Sequence, residues 1–200
     1  MVPAVFRDLS FRNFTISRIL FVLMRFANGF ITVYAIKNLG ATNENVATFT
    51  AVFMVSQGLG SFLFGPFGDR WAHKLVMSGG CILYAASMVA LLTAKSVAFV
   101  YIAFSLVGLV EATYMVGVLT LTIDIVATRR KELYIGSLYL ITAPFSFFSP
   151  ILGGKLADLL GYKALFYIAA FVALGALAYT LKFVEDPRTK NGKNQKSGSS

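Results

Sequence analysis

Six apolar runs, at about 13–39, 45–66, 75–94, 97–126, 132–157 and 163–184, alternate with short polar breaks along the chain. A helix rises about 1.5 Å per residue, so each run meets the roughly 20 residues needed to cross the hydrocarbon of a bilayer. The pattern predicts an all-α membrane protein of six spans. The breaks carry turn chemistry: Asn38 to Asn43 after the first run, Gly65-Pro66-Phe67-Gly68-Asp69-Arg70 after the second, and Asp158 to Gly161 after the fifth. Only Lys95 and Ser96 separate the third run from the fourth, which predicts a tight antiparallel hairpin. Residues 1–12 read as a segment preceding the bundle, 13–187 as the membrane domain, and 188–200 as a disordered basic tail.

Composition agrees with lipid as the solvent. The chain is 57% hydrophobic and 14% charged, with mean hydropathy +0.72, too little polar surface to cover a water-soluble globule of 200 residues. The net charge of +9 does not point to nucleic acid, because the basic residues are scattered between apolar runs instead of sharing a face with stacking aromatics. They report topology instead. Twelve lysines and arginines, among them Arg7, Arg12, Arg70, Lys74, Arg129 and Lys182, fall on one side of the six-span arrangement, against Lys37, Lys95, Lys155 and Lys163 on the other. The positive-inside rule then predicts a multi-pass protein of the cell membrane with both termini in the cytoplasm. Cys81 lies inside an apolar run and has no second cysteine to pair with. A single histidine and a single cysteine, with no metal-ligand spacing and no phosphate loop, predict neither an enzyme nor a metal site.

Charge inside the spans is the strongest clue to function. Arg25 sits in the middle of the first span and Glu111 in the middle of the fourth, about 18 Å and 21 Å from the respective helix ends at about 1.5 Å per residue. Ionised groups in hydrocarbon cost at least a few kcal/mol, about 2.5–3.5 on insertion scales, so they face a bundle interior, a partner charge or a water-filled path. Two expectations stand side by side: a solute or ion pathway using Arg25 and Glu111, or a static pair that fixes helix packing. Arg18 is expected to snorkel to the cytoplasmic surface, and Asp124 to cap its helix or to pair with Arg129 or Arg130.

Polar and small residues are unevenly shared among the spans. Arg18, Arg25 and Thr32 stack at seven-residue intervals along the first, and Asn28 joins them. Ser56, Gln57, Gly60 and Ser61 mark the second, Gly108, Glu111, Thr113 and Gly117 the fourth, and Tyr139, Thr142, Ser146 and Ser149 the fifth. The third and sixth have no such face, so they can meet lipid all round. Arg25, Asn28, Gln57, Glu111, Tyr139 and Ser146 are the candidate pathway residues, with Gln57 and Asn28 equally suited to hydrogen bonding between helices. The three-span period of polarity is a weak internal repeat, of the kind built into nested transporter repeats.

Two local patterns carry a resemblance. Gly65-Pro66-Phe67-Gly68-Asp69-Arg70-Trp71-Ala72-His73-Lys74 resembles the G-x-x-x-D-R-x-G-R-K loop of the major facilitator superfamily, with Ala72 and His73 departing from its Gly and Arg. Pro150-Ile151-Leu152-Gly153-Gly154-Lys155-Leu156-Ala157-Asp158, continuing through Gly161, Tyr162 and Lys163 to Phe166, is similar to the junction between the fifth and sixth helices of a facilitator half.

The resemblance spans residues 5–187 and implies one six-helix half of a twelve-helix carrier, more like the C-terminal half. It implies secondary transport of a small solute by alternating access, with no cofactor and with possible coupling to a proton or other cation gradient. The partners implied are membrane lipid, the solute, and a complementary half or a homodimer mate. Gly65 would allow close packing, Asp69 would accept in a cytoplasmic latch, and Arg70 and Lys74 would be its basic partners. Gly153 and Gly154 would let helices approach, and Pro144 and Pro150 would bend the fifth span. A membrane module that does not transport is the alternative.

Overall fold

Gly40 ends the first long helical run because it adopts the left-handed conformation, φ 69° and ψ 29°, which a residue with a Cβ resists. The Ala41 N–H then reaches back to the Ala35 carbonyl at 3.0 Å, closing the helix end. Thr42 and Asn45 start the next helix by mutual capping: the Thr42 N–H donates to Asn45 Oδ1 at 2.9 Å, and the Asn45 N–H to Thr42 Oγ1 at 3.4 Å.

The structure, a computed structural model, describes residues 9–71, 73–118 and 131–184, with side chains described for all of these except 69–71, 73, 118 and 131. Its helices are α1 (Leu9–Met24), α2 (Asn28–Leu39), α3 (Asn43–Trp71), α4 (His73–Leu92), α5 (Val97–Thr113) and α6 (Lys131–Phe183). A 3-10 segment, Arg25–Ala27, joins α1 to α2, and a π-helical segment, Tyr114–Val118, follows α5. The described chain is an all-α bundle.

Among the described residues five runs are long and apolar enough to cross a membrane: Leu9–Leu39, Asn43–Gly68, Lys74–Leu92, Val97–Gly117 and Glu132–Phe183. Where six separate spans were expected, the last two are merged. At about 1.5 Å per residue a 52-residue helix far exceeds a hydrocarbon core of about 30 Å. Within it, Gly161 (φ 79°, ψ 166°) is non-helical, so α6 is two helices meeting at that residue without a loop. The backbone stays helical at Pro144 and Pro150. The non-helical residue therefore falls at Gly161, at the end of the Asp158–Gly161 turn expected after the fifth run.

The Gly65–Lys74 stretch also differs from expectation. Residues 65–71 are the last turns of α3, with Pro66 inside the helix, instead of a loop. A Cβ on Gly65 would meet nothing within 4 Å, so this glycine does not serve a close approach. Lys74 donates to the Leu181 carbonyl at 2.9 Å, and Asn13 Nδ2 to the Phe183 carbonyl at 3.2 Å. Both satisfy carbonyls in the last turn of α6. The side chains of Asp69 and Arg70, residues 119–130 with Asp124, and the 188–200 tail lie outside the described residues.

Packing reverses one reading outright. The third span, α4, is the most buried of the five runs: Met77, Cys81, Tyr84, Met88 and Leu91 are inaccessible, and α4 packs on both α5 and α6. The sixth span buries Leu165, Phe166, Ala169, Ala173 and Ala176 on one side and exposes Tyr167, Phe171 and Leu174 on the other. Lack of charge permits contact with lipid but does not require it. Lipid tails are as apolar as Leu, so small residues that let backbones approach decide which helix goes inside. Gly80 of α4 does this: a Cβ there would collide with Thr113 of α5 and come within 3.3 Å of the Phe21 ring.

Candidate functional site

Arg25 stands at the middle of the Leu9–Leu39 run, on the 3-10 segment. Glu111 stands one turn before the π-helical segment of the fourth span. The fold brings these two irregular segments together, and Arg25 Nη2 is ion-paired and hydrogen-bonded to Glu111 Oε2. Short 3-10 stretches and π-bulges inside long helices recur at hinges and functional sites. In this pair 26% of the Arg25 side chain and 13% of the Glu111 side chain are exposed.

Tyr114, one turn beyond Glu111 on the same helix face, connects the pair to a second cation. Its ring lies 5.3 Å from the Arg25 guanidinium carbon and 5.0 Å from that of Arg18, and its hydroxyl accepts from Arg18 Nη2 at 2.7 Å. Arg18 is held on its other side by the Tyr139 ring, also at 5.0 Å. It is only 2% exposed. The expectation that Arg18 snorkels to the surface is therefore corrected: two aromatic faces and one phenol oxygen retain it inside the bundle.

A cavity of about 380 Å³ opens beside the pair, bounded by the α1–α2 junction, Tyr114 and the middle of α6. Arg25, Asn28 and Ser146, three of the candidate pathway residues, line it together with Tyr114 and Ser149. Tyr84 of α4 donates to Asn28 Oδ1 at 2.9 Å from a fully buried position, which fixes the amide's orientation. Gly153, a turn below Ser149, has its Cα against the Phe26 carbonyl, where a Cβ would collide, and this contact seats α6 on the 3-10 segment. Gly154 is less tightly held, with the Phe30 ring 3.5 Å from its virtual Cβ. Pro150 lines the cavity, and Pro144 is exposed on the same helix.

Three candidates fall elsewhere. Gln57 lies in the seam between α3 and α5, where a Cβ on Gly108 would meet the Gln57 nitrogen at 3.2 Å and the Phe53 carbonyl at 2.5 Å. Ser56 bonds Ser105 across the same seam at 3.0 Å, so the small polar face of the second span packs helices instead of lining the cavity. Tyr139 is half exposed and braces Arg18 outside the cavity wall. Glu111 pairs with Arg25 but is not part of the wall. Sequence reasoning missed Tyr114 and Tyr84. Tyr114 was findable from its three-residue offset from Glu111, whereas Tyr84 sits on a span with no polar face.

The profile of the Major Facilitator Superfamily matches residues 14–199. The chain belongs to the major facilitator superfamily. It is 25% identical over 171 residues to multidrug resistance protein 1 of Bacillus subtilis (strain 168), covering 84% of this chain and 44% of that protein. It is 31% identical over 142 residues to the chloramphenicol resistance protein of Pseudomonas aeruginosa, covering 70% of this chain and 33% of that one. A crystal structure of a mutant of peptide transporter POT in complex with alafosfalin shares its fold with TM-score 0.64 at 17% identity, over 96% of this chain and 44% of that one. The chain thus spans less than half the length of these relatives, and it is a multi-pass membrane protein of this superfamily.

Proposed function

We propose that this facilitator chain is one half of a secondary transporter that moves a small solute by alternating access, completed by a second half or a second copy. The observation that carries the reading is the cavity of about 380 Å³ at mid-span, which holds Arg25 and abuts the Arg25–Glu111 pair. Its volume lies within the range of small-molecule sites, about 300–1,000 Å³. The names of the relatives, resistance proteins for multiple drugs and chloramphenicol, support export of small organic molecules.

Glu111 is the group proposed to couple transport to a proton or other cation gradient, because it is the carboxylate that holds the cavity's arginine. Both termini are proposed to be cytoplasmic from the distribution of lysine and arginine. The exposed apolar stripe of α3, Met54, Val55, Leu59, Phe62 and Leu63, is available to a second bundle or to lipid. The same stripe would equally serve a membrane module that binds a partner without transporting.

Flux in proteoliposomes, with the chain's mass measured in detergent, separates the two readings. A Cβ on Gly29, in the cavity wall, would meet nothing within 4 Å, so Gly29→Phe starts from open space and adds bulk at the cavity wall. Saturable flux in an associated preparation, lost in Gly29→Phe, is the expected result. Flux unchanged by that substitution, or none across anionic, neutral and cationic solutes, would overturn the transport reading. Acceleration by an imposed pH gradient, absent in Glu111→Gln, is expected if the carboxylate couples.

A further inference from the structure

The chemistry of the cavity wall selects among solutes. Among the described residues Arg25 is the one formally charged side chain lining it, and its ion-pair partner Glu111 is not in the wall. Asn28 has its amide oxygen occupied by the Tyr84 hydroxyl, which leaves its two N–H donors for the cavity. Tyr114 has its oxygen occupied by Arg18, which leaves its own hydroxyl proton to donate. The wall therefore offers a guanidinium, an amide and a phenol as donors, suited to a group that only accepts, beside the Ser146 hydroxyl, whose proton goes to the Thr142 carbonyl.

The charge balance points the same way. Arg18 is 2% exposed, its Nε has no hydrogen-bond partner, and no carboxylate pairs with it among the described residues. Among the described residues, two guanidinia flanking one tyrosine ring thus face a single carboxylate. In a low-dielectric span that positive excess favours an anion beside it.

Resting on the reading of the cavity as a solute site, we infer that it selects a ligand bearing an oxyanion, carboxylate or phosphate, which engages Arg25 in competition with Glu111. A free solute and the headgroup of an anionic lipid share this chemistry. Benzoate, its near-isostere benzamide, and tetraphenylphosphonium are the probes, titrated calorimetrically into the full chain in an uncharged detergent. A charge-assisted hydrogen bond predicts benzoate binding at least about tenfold tighter than benzamide, with tetraphenylphosphonium weaker still.

Glu111→Gln releases Arg25 and is expected to tighten benzoate binding several-fold. The double variant Arg25→Gln/Glu111→Gln removes both members of the ion pair and strands neither, so it tests selectivity without relying on the single Arg25 variant to fold. It is expected to abolish the preference for the carboxylate. Equal binding of amide and carboxylate, preference for the cation, a preference that survives the double variant, or no binding of any probe overturns the inference. Displacement of benzoate by phosphatidylglycerol would assign the anion to a lipid headgroup, and failure to displace it to a free solute, with oxyanion recognition upheld in both cases. Saturable flux of neutral or cationic solutes without carboxylate preference would sink this inference and leave transport standing. Carboxylate binding without any flux would do the reverse.

Discussion

Removing Arg25 is expected to cost more stability than removing Glu111, and the asymmetry follows from what each leaves behind. Breaking one side of a buried ion pair costs about 3–5 kcal/mol when the survivor is stranded. Glu111 is 13% exposed and Arg25 is its sole polar partner among the described residues, so Arg25→Gln strands it. Partial exposure lowers the expected loss to about 2–3 kcal/mol. Arg25, in contrast, is 26% exposed, lines the cavity and retains the Tyr114 ring at 5.3 Å.

That residual cation–π contact, worth about 0.5–1 kcal/mol, and hydration from the cavity hold the loss in Glu111→Gln to about 1 kcal/mol. The double variant should lie well above the sum of the single losses, with a coupling of about 1–3 kcal/mol. Helical circular dichroism melts in one detergent at one scan rate read this out, at about 2–4 °C per kcal/mol for a chain of this size. If Glu111→Gln melted at or below Arg25→Gln, or if the two losses simply added, the ion pair would not be the organising contact described above.

Neighbouring glycines on α6 should respond oppositely. Gly153→Ala drives a methyl into the Phe26 carbonyl and is expected to lose about 1–3 kcal/mol, whereas Gly154→Ala, with its nearest neighbour at 3.5 Å, should melt like the parent. Gly161→Ala places a Cβ at φ 79° and ψ 166°, a region nearly restricted to glycine, for a loss of about 1–3 kcal/mol in the same melts. Cys81 is inaccessible in the packed α4, so N-ethylmaleimide should label it only after denaturation in SDS, as mass spectrometry would detect. Rapid labelling of the native chain would mean that α4 is not in the interior.

Much of the fold was legible because membrane helices are written in the one-dimensional pattern of apolar runs. The break at Gly40 and the hairpin at Lys95 and Ser96 were both readable from turn chemistry. The Gly65–Trp71 stretch misled because Gly and Pro usually punctuate helices, yet here α3 continues through Pro66. Depth was legible too, and it put Arg25 and Glu111 at one level before any contact was known. Lateral placement was not, because every face of an apolar helix is compatible with lipid. Gln57 suited a pathway and helix packing equally, and it lies with Ser56 and Gly60 in a packing seam, while the apolar α4 went to the centre.

The amino-acid sequence by itself determined that the chain lives in lipid, roughly where it crosses, and that two opposite charges share a depth, since hydropathy and helical rise act along the chain. The tertiary structure alone decided that Arg25 lines the cavity while its partner Glu111 does not, that Tyr114 joins Arg25 to a buried Arg18, and that Gly153 seats α6 against Phe26. Those outcomes depend on how each helix is rotated about its own axis, which is set by close contacts between small residues on different helices and leaves no period in the sequence.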